Sequence, residues 1–387
     1  MLMENEKGRS TCKETAFTPK HSQIVKGFAV ILMMVHHLFS ASGRLASDIN
    51  IISSFRLFTH TAHYEWGLFG RICVSLFLFV TGFGLYRKQM NGKEIRIIPI
   101  IRNLYIRYWR IFVLFVPFGF MYFGYAREAF PESLRVFSKL DWQIVISDFF
   151  GFTSQINTEW WFLRHYIICL CVFPLWAAFV RNHRHEQNIL MVVVFSVFFS
   201  QIFPYLKDVV RFPVMDAAEY NLLATSMDRF TIASFFAGVA FAKDHLLEQL
   251  YKEIVKPGIR GIIQDLFLFC MVFFCRQYGF GHGFDWLYAP ILCLIIWDLT
   301  DQIQVLGCFY NLFGKHSTNI WFFHTFFCYY YDEVQKLIYS FQHPPLIVLF
   351  FILLCLFVSI GIEVFYDVLI RILRYISGRL KLKETKE

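Results

Sequence analysis

The chain has 387 residues, of which 57% are hydrophobic and only 17% are charged, and its mean hydropathy is +0.48. Soluble domains average about 45–50% apolar and about 25% charged residues, so this composition excludes an ordinary soluble domain and calls for a lipid bilayer. The net charge of +8 does not indicate nucleic acid, because the basic residues lie between apolar segments, as in cytoplasmic loops of membrane proteins.

About ten apolar segments are long enough, or nearly so, to cross a bilayer, which takes roughly 20 helical residues. Helices are expected because every backbone polar group must be satisfied internally in lipid. The segments are residues 24–40, 68–86, 106–122, 161–180, 189–205, 222–242, 262–278, 284–297, 317–331 and 346–373. The sequence therefore predicts an all-α, polytopic membrane protein with about ten transmembrane helices.

Basic residues are concentrated in alternate connections, namely those after the second, fourth, sixth and tenth segments. The positive-inside rule places such connections in the cytoplasm, which predicts that both termini are cytoplasmic in a multi-pass protein of the bacterial inner membrane. The predicted organisation is a cytoplasmic tail at 1–20, a ten-helix transmembrane domain at 21–376 and a basic cytoplasmic tail at 377–387. The first tail lacks the apolar core of a secretory signal.

Sequence motifs of several other protein classes are missing. There is no P-loop, GxSxG or HExxH motif. The ten cysteines form no CxxC pair and lie mostly inside apolar segments, so they are interpreted as small buried hydrophobic residues. We therefore predict no bound metal and no resident cofactor.

The first predicted span carries two adjacent histidines, His36 and His37, at a depth where ionisable groups are costly and usually face a cavity or a partner. Histidine is also the general base best suited to neutral pH. Helical geometry places His37 within about 20° of the face of Lys26 and about 16 Å from it, whereas His36 points some 80° away. A cation at Lys26 could therefore guide an anionic ligand toward His37, and both His37 and His36 are candidates for a catalytic base. A pair of hydrogen-bonded packing histidines would fit the same residues.

The third predicted span begins with a run of arginines. Arg107 and Arg110 are three positions apart and share a helix face, and Arg102 precedes them. Guanidinium groups bind phosphates in a forked geometry, so this helix end is a candidate dock for a pyrophosphate. Ordinary positive-inside anchoring would explain the same charges.

Three further polar or aromatic residues are weaker candidates for a supporting role near the substrate. They are Trp161, Arg229 and His324. Each has a plain alternative: an interfacial aromatic for Trp161, an ion pair with Asp228 for Arg229, and helix packing for His324.

Taken in chain order, these segments resemble the acyltransferase 3 family of integral membrane proteins. The matching motifs are Lys26 with His37 in the first span, residues 79–86 in the second, Arg107 with Arg110 in the third, residues 161–163 in the fourth, 229–238 in the sixth and 314–324 in the ninth. The resemblance covers nearly the whole chain. It implies a ten-helix fold and O-acylation of an extracytoplasmic glycan from cytoplasmic acyl-CoA, most often acetyl-CoA.

By that resemblance His37 would be the base, while Lys26, Arg107 and Arg110 would bind the CoA phosphates. The working hypothesis is an acyl-CoA-dependent acyltransferase that modifies a hydroxyl of a cell-surface glycan or a lipid-linked saccharide. One alternative is a secondary transporter or flippase for a glycan or lipid-linked intermediate, whose polar residues would line a path. Another is a structural subunit of a polysaccharide assembly complex, which would tolerate loss of both histidines.

Overall fold

The computed structural model describes residues 16–384 except Ser47, 53–54, Phe58, 123–136, Ser138, 203–230 and Phe280, with no side-chain description for Ser42 and 377–384. Its helices are α1 (Pro19–Phe39), α2 (Ala62–Gly70), α3 (Cys73–Met90), α4 (Ile97–Tyr122), α5 (Trp142–Phe149), α6 (Trp161–Asn182), α7 (His185–Val197), α8 (Ile232–Lys243), α9 (Leu246–Ile254), α10 (Ile259–Phe274), α11 (Asp285–Gln302), α12 (Gln304–Thr325), α13 (Asp332–Tyr339) and α14 (Pro344–Glu384).

Shorter elements connect these helices. Three are 3₁₀ turns, at Ser42–Arg44, Thr158–Trp160 and His282–Phe284, and three are π-helical turns, at Phe198–Ile202, Cys275–Gly279 and Phe326–Tyr330. Strands β1 (Arg56–Leu57) and β2 (His60–Thr61) form a small antiparallel hairpin in which Arg56 pairs with Thr61. The hairpin lies between the end of α1 and the start of α2.

Six helical stretches among the described residues are long and apolar enough to cross a membrane, and there are seven if the bent pair α9–α10 counts as one span. The prediction of an all-α polytopic membrane protein is thereby supported, whereas the number of about ten spans and the cytoplasmic termini stay predictions. The first part of the predicted sixth span, residues 222–230, lies outside the described residues, and α8 covers nearly all of the rest.

Close backbone contacts fix the position of α1 against α12. A Cβ atom on Gly27 would lie 1.8 Å from the carbonyl oxygen of Tyr310, and one on Gly314 would lie 2.0 Å from the carbonyl oxygen of Gln23. Neither glycine can therefore be larger without moving a helix. Small residues serve this purpose in membrane bundles, where van der Waals packing drives helix association. The contact holds the helix that carries the two histidines.

We expect that Gly27→Ala destabilises the folded protein, because the added methyl group forces α1 away from α12. Overpacking of this kind costs about 1–3 kcal/mol. The measurement is thermal unfolding in detergent. Gly84→Ala is the matched control, since Gly84 also lies in a helix but a Cβ atom added there would meet no atom within 4 Å. Equal melting temperatures for the two variants would contradict the packing argument.

A buried ion pair fixes the junction between α2 and α3. Arg276 pairs with Asp285 through its Nε atom at 2.7 Å, with both side chains almost fully buried. Its NH1 group donates to the carbonyls of Leu68 and Phe69, each at 3.2 Å. These carbonyls belong to the last turn of α2 and also accept from the backbone amides of Arg71 and Ile72. The pair thus sets the direction of α2, whose Gly67 carbonyl contacts α1.

Candidate functional site

His37 lies in the last turn of α1, opposite the π-helical turn that follows α12. Its Nδ1 atom is 3.2 Å from the Tyr329 hydroxyl, and that hydroxyl donates its proton to the carbonyl of His37 at 2.7 Å. A tyrosine has one hydroxyl proton, so its oxygen must accept a hydrogen bond from Nδ1 of the histidine. Tyr329 therefore fixes the tautomer of a neutral His37, with the proton on Nδ1 and the lone pair on Nε2.

A carboxylate faces that lone pair. Nε2 of His37 is 3.9 Å from one oxygen of Glu159, and the other oxygen of Glu159 is 2.7 Å from NH1 of Arg44. The Arg44 guanidinium also lies over the Tyr329 ring, 4.8 Å from its centroid. Glu159 is thus shared between an imidazole and a guanidinium. The arrangement can stabilise a positive charge that forms on His37 when Nε2 takes a proton.

His324 adds a second imidazole to the same place. Its ring centroid is 4.9 Å from that of His37. Nδ1 of His324 lies 3.0 Å from the carbonyls of Ile320 and Trp321, which can only accept, so this nitrogen carries the proton. Nε2 is buried and has no hydrogen-bond partner among the described residues. Buried polar atoms are rarely left unpaired, so a free acceptor here is a feature of functional interest.

The two adjacent histidines are held differently. Nδ1 of His36 donates to the carbonyl of Gly67 in α2 at 2.8 Å, which ties this ring to the helix packing. Its ring centroid lies 4.9 Å from that of His37. His37, by contrast, faces a hydroxyl, a carboxylate and a second imidazole. His36 is thus tied to the packing of α2 on α1, whereas His37 borders a cluster of polar side chains.

Arg44 is anchored in the segment that follows α1. Gln335 of α13 donates to the Arg44 carbonyl at 3.1 Å and accepts from the amide of Ala46 at 3.0 Å. Burial disfavours the charge on Arg44, but the Glu159 carboxylate outweighs burial and raises the pKa of the guanidinium above its ordinary value. The guanidinium therefore stays charged and holds Glu159 in place.

The loop between α5 and α6 presents Glu159. Asp148 shapes this loop by accepting from the amides of Ile156 at 2.7 Å and Gln155 at 3.2 Å. Burial raises the pKa of the Asp148 carboxyl, while these hydrogen bonds favour its charged form. The side-chain amide of Asn157 donates to the Thr325 hydroxyl at 2.7 Å. This hydrogen bond holds the loop that carries Glu159 against the end of α12.

Basic residues gather at the other end of α1. Lys26 is close enough to Lys88 and Arg107 for their positive charges to act on its ammonium group. None of the three belongs to an ion pair among the described residues. Since α1 is continuous, this cluster lies about 16 Å along the helix from His37. Three cations with no counter-charge in the described part of the chain make a favourable place for an anionic ligand.

The other predicted site residues lie elsewhere. Arg102 is exposed on α4. Arg110 lies against α14, with its guanidinium 5.0 Å from the centroid of the Tyr366 ring. Trp161 begins α6, and its ring packs against Phe162 and His165. Arg229 and Asp228 lie outside the described residues. In the described part of the chain, no three His, Cys, Asp or Glu side chains are grouped to hold a metal ion.

Three members of the His37 site were not identified from the sequence. They are Arg44, Tyr329 and Glu159, which lies directly before the Trp160–Trp161 pair. The one local signal was the charge of Glu159 at the edge of an apolar span. Its proximity to His37 depends on tertiary packing.

The fold and the site define a polytopic helical membrane protein with converging titratable side chains inside its helix bundle. A family model described as an acyltransferase domain matches residues 22–364. The chain therefore belongs to the acyltransferase 3 family, as the order of its motifs predicted, and is a membrane acyltransferase. Comparison with curated proteins gives no match, and comparison with solved structures gives none.

Proposed function

We propose that the protein transfers an acyl group, in the first instance acetyl, from cytoplasmic acyl-CoA to a hydroxyl of an extracytoplasmic glycan. The observation that carries the proposal is the state of His37. Its Nδ1 proton is held by Tyr329, so the Nε2 lone pair is the available base. A general base must have such a lone pair within reach of the proton that it removes.

The proposed donor enters at the basic end of α1. The phosphates of acyl-CoA pair with Lys26, Lys88 and Arg107, and the pantetheine arm extends along α1 toward His37. The separation of about 16 Å suits a ligand with its charge at one end and its thioester at the other. Lysine contributes a compact charge here, while Arg107 can make a two-pronged phosphate contact.

In the proposed reaction, Nε2 of His37 removes the proton of the acceptor hydroxyl as its oxygen attacks the thioester carbonyl. The new ester C–O bond forms, the C–S bond breaks, and the CoA sulfur takes the proton from the imidazolium. Glu159 stabilises that imidazolium while it exists, since a carboxylate nearby favours the charged form. Nε2 of His324 offers a second acceptor for the same hydroxyl group.

The direct test is release of free CoA from acetyl-CoA by the purified protein in liposomes, with extracted surface glycans supplied. We expect release that depends on the glycan, together with labelled acetyl on the glycan. A secondary transporter or a structural subunit would leave the thioester intact. Absence of release with both acetyl-CoA and longer acyl-CoA donors would overturn the proposal.

Removing the Lys26 charge should weaken donor binding more than the chemical step. We expect that Lys26→Gln raises the KM for acetyl-CoA about tenfold with kcat nearly unchanged, because loss of a phosphate contact removes binding shared by ground and transition states. Lys252→Gln, an exposed lysine of α9, is the control and should leave KM unchanged. A fall in kcat alone would argue against a role of Lys26 in binding phosphate.

A further inference from the structure

Tyr166 of α6 has a hydroxyl group with only a distant hydrogen-bond partner. It lies 3.5 Å from Oγ1 of Thr81 on α3, whereas hydroxyl groups usually bond at about 2.7–2.8 Å. Thr81 donates its own proton to the carbonyl of Phe77 at 2.7 Å, one turn earlier in α3. Each hydroxyl has one proton, so the Tyr166 proton has no close acceptor in the part of the chain that the structure describes. This proton is available to a ligand.

The contact between the two hydroxyls lies between the basic cluster and the site around His37. Thr81 precedes Lys88 of the basic cluster by seven positions, which is about 10 Å along α3 and within about 20° of the same helix face. Tyr166 follows Glu159 by seven positions, again about 10 Å, within one helical stretch. From the basic end α3 leads to Thr81, and from the His37 end α6 leads to Tyr166.

Lys26 and His37 define the inner face of α1. Gly27, which touches α12, and His36, which touches Gly70 of α2, point to opposite sides of the helix, because nine positions correspond to about 180°. Lys26 and His37 both point between these two sides, about 80–100° from each. Since α3 follows α2 and also packs along α1, the inner face borders the space between α12 and α3.

The helix α6 lies across this space from α1. Glu159, directly before α6, reaches the inner face through its contact with the His37 ring. Phe162 packs on Trp321 of α12 with ring centroids 4.9 Å apart, and Tyr166, one turn further along α6, reaches α3. Because Tyr166 is half-buried and belongs to a row of α6 side chains that extends from α12 to α3, its hydroxyl borders the path along the inner face.

A ligand that lies along the inner face must satisfy its own polar groups. The pantetheine arm of CoA carries amide groups between the pyrophosphate and the sulfur, and buried amides are almost always hydrogen-bonded. A tyrosine hydroxyl is a suitable donor for an amide carbonyl, and its rigid ring holds the hydroxyl in a defined place. Tyr166 loses little by exchanging its 3.5 Å contact with Thr81 for a hydrogen bond of normal length.

We propose that Tyr166 binds the pantetheine arm of the acyl-CoA donor by donating its hydroxyl proton to an amide carbonyl of the arm. The inference rests on the proposed function, because it assigns a residue to the donor of that reaction. Thr81 is the weak acceptor of the same proton when the donor is absent. The contact holds the arm about halfway between its phosphates and its thioester, so that the thioester lies beside His37.

The test is equilibrium binding of two probes, CoA and adenosine 3′,5′-bisphosphate, to the full chain in nanodiscs, measured by titration calorimetry without an acceptor. The bisphosphate carries phosphate groups but lacks the pantetheine arm. We expect Tyr166→Phe to weaken CoA binding about fivefold, as for loss of one neutral hydrogen bond, and to leave bisphosphate binding unchanged. Lys26→Gln, in contrast, should weaken the binding of both probes, because it removes a phosphate contact.

Tyr64→Phe is the matched control. Tyr64 is also half-buried, but it lies on α2 with its ring against His60 of the hairpin, so the loss of its hydroxyl should leave the binding of both probes unchanged. Unchanged CoA affinity in Tyr166→Phe, or an equal loss of affinity for both probes, would overturn the role of Tyr166 alone. Absence of CoA binding to the parent chain would overturn it together with the proposed donor.

Discussion

Replacing His37 by alanine is expected to reduce glycan-dependent CoA release by about 100- to 10,000-fold, the range that a general base contributes. In the proposed mechanism Nε2 of His37 is the base, because Nδ1 is bonded to Tyr329. The measurement is kcat with saturating acetyl-CoA, in liposomes that contain equal amounts of each folded variant.

His36→Gln is the control for this prediction, because it changes the adjacent histidine with little loss of volume. The amide of glutamine can still donate to the Gly67 carbonyl, so we expect kcat to stay within about tenfold of the parent. The opposite ranking, with His36→Gln inactive and His37→Ala active, would assign the base to His36. Full activity in both variants would remove the histidine pair from the mechanism.

Local geometry explains what could be predicted of this site. Lys26 and His37 belong to one uninterrupted helix, so the fixed rise and rotation per residue relate them before any tertiary structure is known. The family resemblance then points to His37. The sequence alone could not separate His36 from His37, because the difference lies in their partners, Gly67 and Tyr329.

The members of the site that were not predicted depend on long-range packing. Glu159 reaches His37 because Asn157 and Asp148 shape its loop against α12.

Hydropathy identifies long apolar helices well, but it gives little information about short or bent helices. Thus the chain bends by 118° between α9 and α10, so this region is not a simple straight span.

Glu159→Gln should be the second most damaging change, with an expected fall in kcat/KM of about 100-fold. A carboxylate 3.9 Å from Nε2 interacts with an imidazolium by about 4 kcal/mol at an effective dielectric constant near 20. Arg44 offsets part of this attraction because it shares the carboxylate. A 100-fold change corresponds to about 2.7 kcal/mol, which fits that partial offset.

The pH dependence distinguishes an electrostatic role for Glu159 from a structural one. The proposed reaction needs a neutral imidazole, so kcat/KM is expected to fall as the pH drops and the ring takes up a proton. The Glu159 carboxylate lies 3.9 Å from Nε2, and a negative charge at that distance favours the protonated ring. Glu159→Gln should therefore move the acid limb of the profile toward lower pH, in addition to lowering the rate.

A matched control is available elsewhere in the bundle. His316 and Glu363 form another imidazole–carboxylate pair, with 3.5 Å between Nδ1 and the carboxylate oxygen. Glu363→Gln removes the same charge from α14 and should leave both the rate and the pH profile unchanged. If Glu159→Gln lowers the rate but keeps the parent profile, Glu159 acts by holding Arg44 and its segment in place. If the acid limb moves as expected, the carboxylate acts on the proton that His37 carries, which makes Glu159 a functional partner of the base.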